Sequence, residues 1–221
     1  ARERGAIRLF GNVRDDQPDA RRFAEQRGYT IDRHIFGSIL DVTSFDETLF
    51  AGTIKAVEAT GVRFTDLAEV GDTPEHRRKV YELLRLTDAD APGRDNHPDI
   101  PFERFQNDLY DAPGALADGT ILAVDGDQWI GFTALGRVQD DTFQHYITGV
   151  DRRYRGRKVA LAVKLLAVRW AKRHGIARLY VNNDAANTPM LAINVKMGYR
   201  RLPGWYTFIR QLISTTAPNF S

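Results

Sequence analysis

The chain has 221 residues, 31 Lys+Arg against 29 Asp+Glu for a formal net charge of +2, 43% hydrophobic residues and no cysteine. Such a composition fits one large or two small globular domains and excludes wholesale disorder; without Cys there is no disulfide scaffold, thiolate metal site or cysteine nucleophile, which fits a reducing, cytoplasmic setting. The longest apolar stretches, such as 120–124 and 159–163, fall far short of the ~20 residues of a membrane span, and no charged-then-apolar opening reads as a signal peptide. The first residue is Ala, so what precedes it stays open.

In chain order, the first signal is a repeat. Residues 1–29 laid on 171–199 without a gap match at seven of 29 positions, among them Gly5/Gly175, Arg8/Arg178, Asn12/Asn182, Gly28/Gly198 and Tyr29/Tyr199, where composition gives about two by chance. This self-similarity implies two copies of one fold, the first represented by its C-terminal part. The expected organisation is therefore residues 1–43 as that remnant, 44–61 as a linking helix opened by the capping box at Ser44–Glu47, 62–213 as a complete domain and 214–221 as a tail. Within 62–213 the pattern predicts a strand at 62–67, a helix from Thr73-Pro74 and a Pro/Asp/Asn-rich loop at 88–101. A short helix at 102–110 follows, then antiparallel strands at 120–124, 129–138 and 142–150. A helix from Gly156 to His174, a strand at 176–181, a helix at 189–197 and a strand at 205–213 complete it. The fold class is mixed α/β, an antiparallel meander feeding one βαβ crossover.

Charge is local. Between Arg152 and Arg178 there are ten bases (Arg152, Arg153, Arg155, Arg157, Lys158, Lys164, Arg169, Lys172, Arg173, Arg178) and no acid, whereas 88–111 is dominated by Asp. The basic segment suits an anion and the acidic one a cation, the plain alternative for each being a solvated face. Five of the bases crowd around Gly156 where a strand ends and a helix starts. Unsatisfied N–H groups and the helix dipole make that place a cradle for a pyrophosphate, with an ordinary cationic helix start as the alternative. It is neither a Walker loop nor a dinucleotide fingerprint.

Arg155-Gly156-Arg157-Lys158-Val159-Ala160 resembles the acyl-CoA pyrophosphate motif of the GNAT acyltransferase superfamily, Arg/Gln-x-x-Gly-x-Gly/Ala, with Lys158 where the middle Gly is usual. The run from Asn187 to Gly198-Tyr199 is similar to that superfamily's second motif, and residues 1–42 resemble the same motif in a truncated first copy, as in tandem members. The resemblance implies a GNAT-like acyl-CoA acyltransferase fold over 62–213 with acetyl-CoA, the cosubstrate, between two splayed parallel strands. Gly149 and Val150 would offer main-chain groups to its pantetheine arm. The N–H groups of Arg155, Gly156, Arg157, Lys158, Val159, Ala160 and Leu161 would hold the pyrophosphate, and Asn187 would touch the cofactor. Asn194 stands where the family often has an acid Tyr; it can orient thiolate or water but donates no proton as an acid. The first copy, with Gln17 for Asn187 and no phosphate segment, serves as packing.

Acetylating an ammonium of pKa ~10.4 at pH 7 requires a deprotonation costing ~4.6 kcal/mol, so a base is expected. On the strand 142–150, Gln144, Tyr146 and Thr148 are expected on one face and Phe143, His145 and Ile147 on the other. Tyr146 (through water) and His145 are the candidates, with a satisfied core histidine the plain alternative for His145. Asp88, Asp90 and Asp95 offer attraction for an ammonium or ordinary turn chemistry. Trp129, Trp170 and Trp205 read as core, and His97 and His174 lack metal-ligand spacing, so no metal is expected. The expected activity is N-acetylation of a small-molecule amine by direct attack; the alternative is a non-catalytic acyl-CoA-binding or regulatory domain. No nucleic-acid partner is expected, because the bases sit where a pyrophosphate is expected and no aromatic platform interleaves them, and no membrane partner is expected, the apolar stretches being short; a homodimer is compatible with the sequence.

Overall fold

The computed structural model describes residues 5–88, 100–113, 115–139 and 141–212. Its elements in chain order are β1 (Arg8–Arg14), α1 (Pro18–Glu25), β2 (Thr30–Asp41), α2 (Thr53–Glu58), β3 (Val62–Asp66), α3 (Leu67–Val70), α4 (Pro74–Asp88) and α5 (Phe102–Leu109). They continue with β4 (Thr120–Asp125), β5 (Gln128–Gln139), β6 (Thr142–Val150), α6 (Val159–Arg173), β7 (Arg178–Asp184), α7 (Thr188–Lys196) and β8 (Arg200–Gln211). All eight strands form one mixed sheet in the order β1-β8-β2-β7-β6-β5-β4-β3. The meander β3-β4-β5-β6 is antiparallel, and β6 and β7 form the parallel pair, joined over one face by α6.

The repeat is visible in the element bounds: β1, α1 and β2 recur 170 residues later as β7, α7 and β8. The two units exchange strands. β8 does not return to β7; it pairs with β1 and β2, and β2 takes the place beside β7. The register obeys the same offset, Arg8↔Gln211 in one unit matching Asp41↔Arg178 in the other.

Two apolar layers cover the sheet. On one face α6 is buried on nearly every side, so its pattern is apolar all round and not one stripe. Trp170 packs on Phe143 at 5.3 Å between centroids. A fully buried Leu or Phe of this kind contributes about 1.5–3 kcal/mol. The other face carries α3, α4 and α5 over Leu122, Val124, Phe132 and Ala134.

Four expectations are corrected. The 44–61 segment is not one helix: a 3-10 turn (Glu47–Phe50), capped by Asp46 rather than Ser44, ends before Gly52, whose φ of 76° breaks the run, and α2 follows. The long helix starts at Val159, because Gly156 and Lys158 both have left-handed backbone (φ 76° and 63°). β8 begins at Arg200, five residues early, because Pro203 falls in a register irregularity opposite Phe36–Ser38 where no ladder N–H is needed. Trp205 is half exposed, under the Arg14 guanidinium at 5.6 Å, and not core.

Candidate functional site

The two parallel strands part company soon after they meet. β6 and β7 pair only from Thr142↔Arg178 to His145↔Val181. Beyond that β6 follows β5 to Val150 and β7 follows β2 to Asp184. A gap therefore opens between them toward their C-terminal ends, its walls being the inner main-chain edges of the two strands. Tyr146 sits at its apex in a bulge: Leu135 faces His145 and Ala134 faces Ile147, so Tyr146 has no ladder partner on either side. The bulge overturns the expected alternation. His145 and Thr148 reach the same atom, Thr133 Oγ1 (2.9 and 2.8 Å), while Ile147 packs into the opposite layer.

Helix starts crown the gap, since α6 follows β6 and α7 follows β7, the position where open α/β sheets take ligands. The first hydrogen bond closing α6 is Ala162 N–H to Lys158 O at 2.9 Å. The N–H groups of Val159, Ala160 and Leu161 thus precede the helical ladder, and Lys158 provides no side-chain cap. Arg155, Gly156, Arg157 and Lys158 are exposed beside them. The loop is braced. Asp151 accepts from Arg153 N at 2.9 Å and pairs with its guanidinium at 2.7 Å, so the Asp151 carboxyl is held below its ordinary range. Tyr154 donates to Asp125 at 2.7 Å, Arg157 lies 5.1 Å from the Tyr154 ring, and Arg155 donates to the Val150 carbonyl at 3.2 Å. The backbone of Gly149 is pinned as well: a Cβ there would run into the Thr87 side chain on α4. A braced turn with N–H groups outside the helical ladder and exposed cations thus lies at the mouth of an open strand gap, an arrangement whose chemistry suits an anion.

Residues 73–199 match the Acetyltransferase (GNAT) family. The chain belongs to the GNAT family. Its fold is similar to a GCN5-related N-acetyltransferase from Sphaerobacter thermophilus (TM-score 0.65, 19% identity, 92% of this chain and 59% of that one). It is likewise similar to a tandem GNAT protein from the clavulanic acid biosynthesis pathway (TM-score 0.64, 19% identity, 95% and 66%) and to a GCN5-related N-acetyltransferase from Kribbella flavida (TM-score 0.55, 14% identity, 91% and 68%). The chain thus spans less than two thirds of the length of the first of these. No curated protein matches.

The remaining GNAT candidates are placed as follows. Asn187 caps α7, its Oδ1 accepting from Met190 N at 3.3 Å, a short-side-chain role that puts it at the gap's rim. Asn194 is buried; its Nδ2 donates to Asn183 Oδ1 at 2.7 Å, so the amide is turned into the core. Tyr146 is half exposed over Gly136. His145 is buried, and burial first, then the charge of Lys164, push its pKa well below the ordinary histidine value, so it is neutral. Asp90, Asp95 and His97 lie outside the described residues, as does the Asp88 side chain. His174 faces Asp118 at 3.2 Å, and among the described residues no group of three metal-ligating side chains forms. Nor, among them, is any helix long and apolar enough to cross a membrane.

A buried polar cluster has no signature in the sequence pattern beyond its apolar surroundings. Lys164, counted by charge among the bases awaiting an anion, has 0% exposure and an Nζ without a hydrogen-bond partner, and burial pushes its pKa down to about 7. Near it the His145 Nε2 and the Tyr199 hydroxyl are likewise buried and unpartnered, Lys164 Nζ lying 5.1 Å from the Tyr199 ring. The available signal was the apolar run on both sides of Lys164, which buries α6 on nearly every side.

Proposed function

We propose that the chain is an acetyl-CoA-dependent N-acetyltransferase that acetylates a small-molecule amine by direct attack. The observation that carries this reading is the open β6–β7 gap ending at the uncapped start of α6. Acetyl-CoA supplies an activated acyl thioester. In this chain the N–H groups of Val159, Ala160 and Leu161, with Arg157 and Lys158, suit its pyrophosphate. The inner edge of β6 at Val150, whose carbonyl accepts from Arg155, suits an extended amide-bearing arm, as a strand edge suits a peptide. The main chain of Tyr146, at the apex where the β6–β7 pairing ends, is placed to polarise a carbonyl there. The cysteine-free chain suits the cytoplasm, and residues 1–43, with their matching element bounds, are read as the last part of a first GNAT copy that braces the second.

One observation favours non-catalytic acyl-CoA binding instead: Asn194, at the family's usual acid position, is locked to Asn183. The two readings separate by release of free CoA thiol with a panel of amines, which only an enzyme gives. Acetyl-CoA at 100 times its Kd is expected to add about 2.7 kcal/mol of stability, a rise of several degrees in melting temperature, and Lys158→Glu to weaken binding at least tenfold. Unchanged melting at millimolar acetyl-CoA overturns both readings.

A further inference from the structure

A hydrogen-bonded chain runs from the strand gap into the core and ends at a histidine that shares the Tyr199 ring with a buried amine. Thr148, on the stretch of β6 that has left β7, touches Thr133 Oγ1 at 2.8 Å, and Thr133 Oγ1 touches His145 Nδ1 at 2.9 Å. The single Thr133 hydroxyl hydrogen is donated either to Thr148 or to the Ile147 carbonyl at 3.1 Å, and the relay uses the first of these. The far nitrogen of His145 has no partner, nor has Lys164 Nζ on α6, and both are buried. Both flank the Tyr199 ring, Lys164 Nζ at 5.1 Å and the His145 ring at 6.3 Å between centroids, and two such orphans are costly, because buried polar groups are nearly always paired. A bound water bridging them satisfies both. It also sets the histidine tautomer: Nδ1–H donates to Thr133, and Nε2 accepts from the lysine through that water. The titratable groups facing Lys164 are His145 from β6 and Tyr199 from the turn after α7, whose ring lies 5.1 Å from Nζ; those facing His145 are Lys164 and Tyr199, with Thr133 from β5.

We propose that Lys164 is the proton reservoir for the leaving thiol, acting through His145, Thr133 and Thr148. This rests on the acetyltransferase reading and fills the place left by Asn194, which cannot act as an acid. When the amine nitrogen bonds to the acyl carbon, the carbon–sulfur bond breaks and its electron pair goes to sulfur. Sulfur takes the Thr148 hydroxyl proton, Thr148 takes that of Thr133, Thr133 takes the Nδ1 proton of His145, and His145 Nε2 takes one from Lys164 through the bridging water. The amine nitrogen loses its surplus proton to solvent, and Lys164 is left neutral. After product leaves, a solvent proton entering at Thr148 drives the same shifts backward and recharges it. A lysine near neutrality is a stronger acid than a thiol of pKa ~8.5, so the transfer runs downhill.

Two measurements test this. In the protein labelled with 15N-histidine, the His145 Nε2 shift is expected to titrate with a midpoint near pH 7 while the ring stays neutral, and the titration is expected to vanish in Lys164→Met. No midpoint between pH 5 and 9 overturns the proposal. With an amine that turns over, Lys164→Met and Thr133→Val are each expected to lower kcat 10- to 100-fold, leave the KM for acetyl-CoA within twofold and abolish the alkaline fall of kcat. The threonine variant keeps the test valid if the lysine variant does not fold. Normal turnover with an unaltered alkaline limb in either overturns the relay alone. Failure of the wild type to bind acetyl-CoA, or to turn over any amine, instead strikes the acetyltransferase reading and the reservoir with it.

Discussion

The β1-α1-β2 unit and the β7-α7-β8 unit share a backbone and differ in what covers it. Their glycines do the same work: Gly28 and Gly198 follow α1 and α7 with φ of 74° and 85°, and Gly5 and Gly175 open the strands with φ of 73° and 67°. The side chains diverge. Where the second unit has Asn183 and Asn194 the first has Val13 and Ala24, and where the second caps its helix with Asn187 the first has Gln17, which makes no side-chain cap. β6 pairs with β7 and α6 buries Val181, Met197 and Tyr199. The equivalent face of the first unit is a groove lined by Gly11, Phe23, Ala24, Tyr29 and Phe208, with Phe23 57% exposed. The strand-helix-strand unit is therefore a scaffold, and the gap and polar core arise only where a parallel strand and α6 meet it.

The largest expected effect comes from giving the second unit the first unit's residues. Asn183 donates to Phe36 O (3.3 Å) and Ser38 Oγ (2.8 Å) and accepts from Asn194, tying α7 to β2. Asn183→Val strands those groups and is expected to cost about 3 kcal/mol. Asn194→Ala is expected to cost about 2 kcal/mol, and the double variant at least 1 kcal/mol less than the sum, because each single change orphans the other's partner. Denaturant midpoints with unchanged m-values measure this; simple additivity would show the pair to be uncoupled.

Next come the shared glycines. A Cβ at Gly198 would meet Leu40 only at 4.0 Å, and at Gly28 Arg210 only at 3.8 Å, so alanine at either costs backbone strain alone. Each variant is expected to lose roughly 1–2 kcal/mol. Equal losses mean the scaffold is equally stressed in both units; a much smaller loss for Gly28→Ala would show that α1 frays independently.

Much of this comparison was legible in the sequence. The 170-residue offset has no gap, so glycines and strand ends stay in phase. The meander announces itself by alternation and tight turns, and the basic turn before α6 by composition. The strand exchange was not legible, because a local pattern says that a segment is a strand and not which strand lies beside it. The bulge at Tyr146 was hidden for the same reason, and with it the meeting of His145 and Thr148. Lys164 was read by its charge, when its neighbours, apolar on both sides, indicated burial.

The turn after β1 offers a pH test of a difference between the units. Asp15 N and Ala185 N make equivalent bonds to Gly204 O and His34 O, but only Asp15 has a carboxylate. It accepts from Gly204 N at 2.7 Å, then from His34 and Arg201 at 2.9 Å each, and these lower its pKa from 3.8 to about 2. A depressed carboxylate stabilises the fold above the unfolded value, and that contribution is lost as pH falls from about 4 to about 2. After allowance for solvent screening it amounts to roughly 1 kcal/mol. Asp15→Asn is expected to flatten acid unfolding in that window; an unchanged acid limb would remove the turn from the stability difference.

The smallest effect concerns Lys158, in the turn that leads into α6. With φ of 63° it is the one non-glycine in left-handed backbone among the described residues, at the position where the family pattern has Gly. The strain is of order 1 kcal/mol, and Gly removes it at the cost of unfolded-state entropy, so Lys158→Gly is expected to gain about 0.5 kcal/mol. The same change removes a cation beside three N–H groups outside the helical ladder and is expected to weaken acetyl-CoA binding severalfold, more at low salt than at high. Stability and affinity moving in opposite directions would mean that Lys158 is kept for the anion and not for the fold. If both rise together, close approach of phosphate to the backbone outweighs the charge, and the seat is the ordinary glycine-type cradle with a lysine in its way.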